Sequence, residues 1–177
     1  DTLIGTPATG NIEYNGQFYG TDSNLSRAQM QRITQGTAVA STSGTAIGFT
    51  NLPSWVKKIT VQFSGVSTTG TSVVLIQLGT GSTTYTTTGY LGSGGGSLSA
   101  NTPLNANFTT GFGVGSDSAS TYVRHGAVIL TNITGNTWVA SGSGGQSDST
   151  RMWSCGGTIA LAAVLTAVQV TTVNGTD

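Results

Sequence analysis

Between Ile59 and Leu78 the chain changes from one hydrophobic rhythm to another. Ile59, Val61 and Phe63 alternate with Thr60, Gln62 and Ser64, the period of two that marks a strand with one buried face. Turn formers follow at Gly65 and at Thr68, Thr69 and Gly70. Val73, Val74, Leu75, Ile76 and Leu78 then form a run that is apolar on both faces, as in a strand covered on both sides. The two runs predict a long hairpin that seeds a β core, with Val61, Phe63, Leu75 and Ile76 buried.

Residues 1–33 follow a different pattern. Asn15-Gly16 lies between Ile12/Tyr14 and Phe18. That is a hairpin signal, because a type I′ turn needs positive φ at both central positions. Asp22 to Arg32 is expected to form a short helix capped by Ser23 or Asn24 and anchored by Leu25, Ala28 and Met30. A lone hairpin is marginal in water, so this neck must pack on the main domain or on copies of itself.

From Thr34 onward the pattern is β throughout. Strands are expected at Gln35–Ala40, Ala46–Phe49, Thr83–Thr87, Phe108–Phe112, Thr121–Thr131 and Thr137–Ala140, with one or two closing strands in Ile159–Val173. Asn51-Leu52-Pro53 is a turn, with φ fixed at Pro53. The glycine-rich stretches Gly92–Ser97 and Gly142–Ser149 are expected to be loops. Short strands at this spacing predict an all-β fold, an antiparallel β-sandwich of jelly-roll-like type over residues 34–177, with residues 1–33 as a small N-terminal hairpin neck.

Composition narrows the classes. Charged residues make up 7% of the chain, against ~25% in ordinary soluble domains. Ser and Thr account for 52 of 177 residues, beside 27 glycines. Such a chain stays soluble through hydroxyls, as β-rich proteins working outside cells do. The net charge of zero leaves no footprint for nucleic acid. No apolar run reaches the ~18 residues of a membrane span, so membrane insertion is not expected. Cys155 stands alone and is expected to be a small buried apolar residue. The chain starts without Met, from which a longer parent protein is expected.

The candidate chemistry is sparse. His125 is the only histidine, and no Gly-x-Ser-x-Gly elbow accompanies it. The internal carboxylates Glu13, Asp22, Asp117 and Asp148 are scattered, whereas glycoside hydrolysis needs two of them held ~5–9.5 Å apart. No His/Cys cluster suits a metal, and no cofactor is expected. What remains is aromatic and polar residues beside Gly, Ser and Thr. A sugar stacks its apolar face on an aromatic ring while its hydroxyls meet polar side chains. On that ground the candidate glycan-binding residues are Trp153 with Arg151 and Asp148, then Tyr85 and Tyr90, with Trp138 after them. The competing structural reading makes Trp153 and Trp138 caps on the core.

The segments TPATGNIEYNGQFYGTD, GFTNLPSWVKKITVQFSGVSTTGTSVVLIQLGTGS and AVQVTTVNGTD resemble the carboxy-terminal region of bacteriophage tail fibre proteins. The resemblance covers most of the chain and is most distinctive from Phe49 to Gly81. It implies a fibre shaft joined through a hairpin to a β-sandwich head. It also implies a homotrimer on the virion whose tip recognises bacterial surface polysaccharide or lipopolysaccharide. Members usually continue past a Val-Asn-Gly-Thr-Asp stretch into one more strand, whereas this chain stops at Asp177. The expected function is therefore attachment to a host cell-surface glycan without catalysis. A tailspike polysaccharide depolymerase, or an accessory binding module of one, is the alternative.

Overall fold

A computed structural model describes residues 6, 8–14, 18–22, 24, 27–29, 33–42, 44–97, 103–147 and 151–177. The chain divides into two compact units, residues 1–38 and 39–177. Among the described residues every regular element is a strand, and every pairing is antiparallel.

The first unit is a three-stranded sheet of β1 (Ile12–Tyr14), β2 (Phe18–Thr21) and β3 (Arg27–Gln29), in that order. β1 and β2 pair as Ile12↔Gly20 and Tyr14↔Phe18, while the turn residues Asn15 and Gly16 lie outside the described set. The expected helix gives way to β3, which pairs with β2 as Thr21↔Arg27 and Tyr19↔Gln29. Three apolar anchors make too thin a stripe to hold a helix, and the free edge of β2 offers backbone partners instead. Asn24 donates its N–H to the Asp22 carboxylate at 2.9 Å, a local turn rather than a helix cap.

In the second unit, six strands form one sheet in the order β5 (Lys58–Val66), β10 (Arg124–Thr134), β11 (Thr137–Gln146), β12 (Met152–Ala160), β7 (Leu91–Ser97), β8 (Pro103–Phe108). Four more form a second sheet in the order β4 (Ile47–Phe49), β13 (Ala167–Thr172), β6 (Val74–Gly79), β9 (Phe112–Gly113). Both sheets feed one core, with Val61, Phe63, Val128, Leu130 and Trp138 from the first meeting Val74, Ile76, Leu78 and Val168 from the second. The architecture is all-β and sandwich-like.

The burial expected of Val61, Phe63, Leu75 and Ile76 is observed, at 8%, 5%, 1% and 0% exposure. The hairpin expected of them is not. β5 and β6 belong to different sheets, because residues 67–73 carry the chain across from one layer to the other. β6 is buried along its whole length, which suits a strand inside the smaller sheet. Three other expected strands also fail. Residues 35–40 are exposed and unpaired, Thr83–Thr87 contributes a single bridge from Tyr85 to Gly79, and Phe108–Phe112 is broken by a bend between β8 and β9.

The largest correction concerns glycine. Gly92–Ser97 belongs to β7, and Gly142–Gln146 belongs to β11; Asp148 and Ser149 lie outside the described residues. Strand registers align Phe63, Gly126, Gly144, Trp153 and Gly96 in one row across five strands. A Cβ on Gly144 would fall 2.5 Å from the Trp153 ring, and one on Gly126 would fall 2.8 Å from it. The indole therefore lies across two glycines and meets Phe63 edge-on, with ring centroids 6.1 Å apart. One row further, a Cβ on Gly94 would sit 2.1 Å from the Gly115 carbonyl oxygen. These strands are glycine-rich because rings and a crossing backbone occupy the inner face that side chains would otherwise fill.

Candidate functional site

Among the described residues, the connections 67–73 and 114–123 meet at one end of the second unit, beside Ser147 after β11 and Arg151 before β12. The start of β4 lies at this end too, since β4 runs antiparallel to β13 with Ile47 opposite Val170. Polar groups tie the connections together. Thr68 and Ser118 share a buried hydroxyl–hydroxyl bond of 3.0 Å. Arg124, wholly buried, donates to the Asp117 carbonyl at 2.9 Å. Ser147 N–H bonds the Val123 carbonyl, and Gln146 N–H bonds the Arg151 carbonyl.

This frame holds Asp117, Tyr122 and Arg151 together. The Arg151 guanidinium pairs with the Asp117 carboxylate and stands 4.3 Å from the centroid of the Tyr122 ring. The side chains of Arg151 and Asp117 are 19% and 40% exposed, so the pair meets solvent and can exchange hydrogen bonds with a polar ligand. A cleft of about 10 Å³ lies against it, lined by Gly96, Ser97, Ser116, Gln146 and Trp153 among others. That is room for roughly one water. In the sequence Asp117 is only one of four scattered carboxylates, and nothing local marks Tyr122. Asp117 and Arg151 lie 34 residues apart, and only the fold of the two loops brings them together.

The other expected site residues are placed differently. Trp153 and Trp138 are each 3% exposed and belong to the core. Tyr90 is 0% exposed, packs T-shaped on Phe112 at 4.9 Å and accepts the Leu78 N–H on its hydroxyl at 2.8 Å. None of the three offers a ring face to a sugar, and the structural reading of the two tryptophans is the correct one. Burial pushes the Tyr90 phenol up to about 12. Tyr85 is half-buried with its ring against Gly79 and its hydroxyl against Gly48, on the smaller sheet, and burial raises its phenol. Asp148 lies outside the described residues. The structure thus assembles Arg151 with new partners and separates it from Tyr85, Tyr90 and Trp138.

His125 meets a serine. Its Nε2 lies 3.0 Å from Ser147 Oγ, and its Nδ1 accepts the Gly65 N–H at 3.3 Å. That N–H fixes the neutral ring with its proton on Nε2, where it donates to the serine. A general base for serine needs the opposite tautomer, with a carboxylate on the far nitrogen. Cys155 is half-buried against the core, and burial pushes its thiol up to about 11, away from the reactive thiolate. Among the described residues, no group of three or more His, Cys, Asp or Glu side chains stands close enough to hold a metal. No family model, curated protein or solved structure matches the chain.

Proposed function

We propose that this chain is the receptor-binding head of a bacteriophage tail fibre. It acts on the virion surface, outside the cell, and attaches to bacterial surface polysaccharide or lipopolysaccharide without catalysis. The observation that carries the reading is the solvent-facing Asp117–Arg151–Tyr122 set on an otherwise nearly uncharged, hydroxyl-rich sandwich. Such a set offers charge-assisted donors and acceptors to sugar hydroxyls or to an anionic substituent. The resemblance of the quoted segments to tail fibre carboxy-terminal regions supports the same reading, with the head as a jelly-roll-like sandwich.

Assembly as a homotrimer belongs to this proposal. Ile12, Tyr14 and Phe18 lie on one face of the first unit at 68%, 59% and 56% exposure, and the Tyr14 and Phe18 rings pair at 5.1 Å. Leaving that face in water is unfavourable, and three copies can cover it for one another. Shallow, wet contacts make each head a weak binder, and several heads on one fibre raise adhesion through effective concentration.

The test combines three measurements on the full chain. Light scattering is expected to report three times 17.8 kDa. A glycan array of bacterial surface polysaccharides is expected to show binding that falls on Arg151→Ala. A reducing-sugar assay on the bound polysaccharide is expected to show no release. A monomer, or a chain that binds no glycan, would overturn the reading, and sugar release would replace it with the depolymerase.

A further inference from the structure

A second concavity lies at the other end of the larger sheet. The registers Gly156↔Ser93 and Ser93↔Asn107 place residues of β12, β7 and β8 side by side, and directly opposed residues share one face of a sheet. That face is the outer one, since Trp153 and Ile159 on β12 point into the core. Gly156 contributes no side chain to the row. A hollow of about 560 Å³ opens there, bordered by Leu91, Ser93, Asn107 and Thr109 over Gly156 and Gly157. Its volume falls within the ~300–1,000 Å³ of small-molecule sites.

The lining selects a ligand class. Ser93, Asn107 and Thr109 are exposed and offer hydroxyl and amide groups that donate and accept. Leu91, at 72% exposure, supplies an apolar flank. Among the described residues, the only ionisable side chain in the lining is Tyr90, whose hydroxyl is engaged with Leu78. A ligand that fits carries several hydroxyls, an apolar face and no charge. We propose that this hollow is a binding subsite for one neutral glycosyl unit of a polysaccharide. It is distinct from the Arg151 cluster, since Leu91 lies six residues along β7 from Ser97, the partner of Met152, or about 20 Å at strand spacing. The proposal rests on the receptor-binding reading and extends it to a second contact.

Gly156 gives a clean test. A Cβ there would meet nothing closer than the Ala140 carbonyl oxygen at 3.7 Å, an ordinary contact, and its φ is not in the left-handed range. Gly156→Leu should therefore fold normally and place its side chain in the hollow. Ser154→Leu, on the same outer face two residues away, is the control. The full chain is probed on an array of neutral hexose oligosaccharides (mannan, galactan and glucan fragments) beside acidic bacterial polysaccharides. Binding to at least one neutral fragment is expected, with a loss of tenfold or more on Gly156→Leu and little change on Ser154→Leu. In the labelled protein, that fragment is expected to shift the Ser93, Asn107 and Gly156 amides. Neutral binding that survives Gly156→Leu overturns the subsite, and so does binding of acidic glycans alone; either result leaves the receptor reading standing. Gly156→Leu changing the molar mass in light scattering also overturns it, because the hollow is then a contact between copies. No glycan binding of any kind removes both proposals.

Discussion

The Trp153 indole occupies the space that a side chain on Gly144 would need. With a Cβ at that position 2.5 Å from the ring and 1.9 Å from the His125 carbonyl oxygen, neither the ring nor the backbone can yield cheaply. Gly144→Ala is expected to destabilise the protein by about 1–3 kcal/mol through overpacking. Denaturant unfolding checks it, and a loss below measurement would show that the row relaxes.

Removing the ring is expected to cost more. Trp153→Ala leaves a cavity over Gly126 and Gly144, and Phe63→Ala removes its edge-on partner. Each is expected to lose about 3–5 kcal/mol. The two side chains touch, so the double variant should lose less than the sum of the singles. Thermal melts with unchanged midpoints would place both residues outside the core.

Little of this row was legible in the sequence. Alternation in Ile59–Ser64 marks the buried face of β5 because each residue in it carries its own burial signal. β7 and the end of β11 carry none. Their inner positions are glycines whose space is filled by Trp153 from another strand or by the backbone at Gly115, so the pattern that would reveal them lies elsewhere in the chain. The same reasoning explains the site. Trp153 sits beside Arg151 in sequence, but strand alternation sends Trp153 inward, whereas Arg151 precedes the strand and meets Asp117 and Tyr122. That pairing depends on how two loops are held by Arg124 and Ser118, which no local spacing reports.

Breaking the surface pair should affect binding without affecting folding. Both partners are partly solvated, and such pairs are worth about 0–1 kcal/mol. Arg151→Ala is expected to leave the unfolding midpoint nearly unchanged. A melt shifted by many degrees would mean that the guanidinium holds the loops in place.

Alkaline pH should expose the Tyr90 phenol. Its folded pKa is raised from 10.0 to about 12, first by burial. Because the native value is the higher one, its contribution to stability is complete below pH 10 and is lost as the pH rises through about 12. Tyr90→Phe should remove this group's alkaline dependence. It should also destabilise at neutral pH by about 1–3 kcal/mol, since the buried Leu78 N–H loses its acceptor. Phenolate absorbance during a pH titration, compared between the two proteins, decides the point.

Acid should act on Asp177. Its carboxyl is held below the usual range, first by the Asn174 side-chain amide and then by the Ser72 N–H at 2.7 Å. The native value is depressed, so this tether is present above the unfolded pKa and is lost as the pH falls through the native one. Amide exchange at Ser72 is expected to accelerate in that window, and Asp177→Asn should abolish the pH response.

The ring-over-glycine row ties the evolutionary freedom of distant positions to one another. Positions 126, 144 and 153 form a linked set in which a glycine is tolerated because an indole covers it, and the indole is accommodated because the glycines are bare. In related chains a tryptophan at 153 should appear with glycine at both 126 and 144, whereas a smaller residue at 153 should leave both glycines in place, because the Ser143 and His125 carbonyl oxygens would still meet a Cβ there. The dependence runs one way: a large ring at 153 requires both glycines, while the glycines are held by the neighbouring backbone whatever stands at 153.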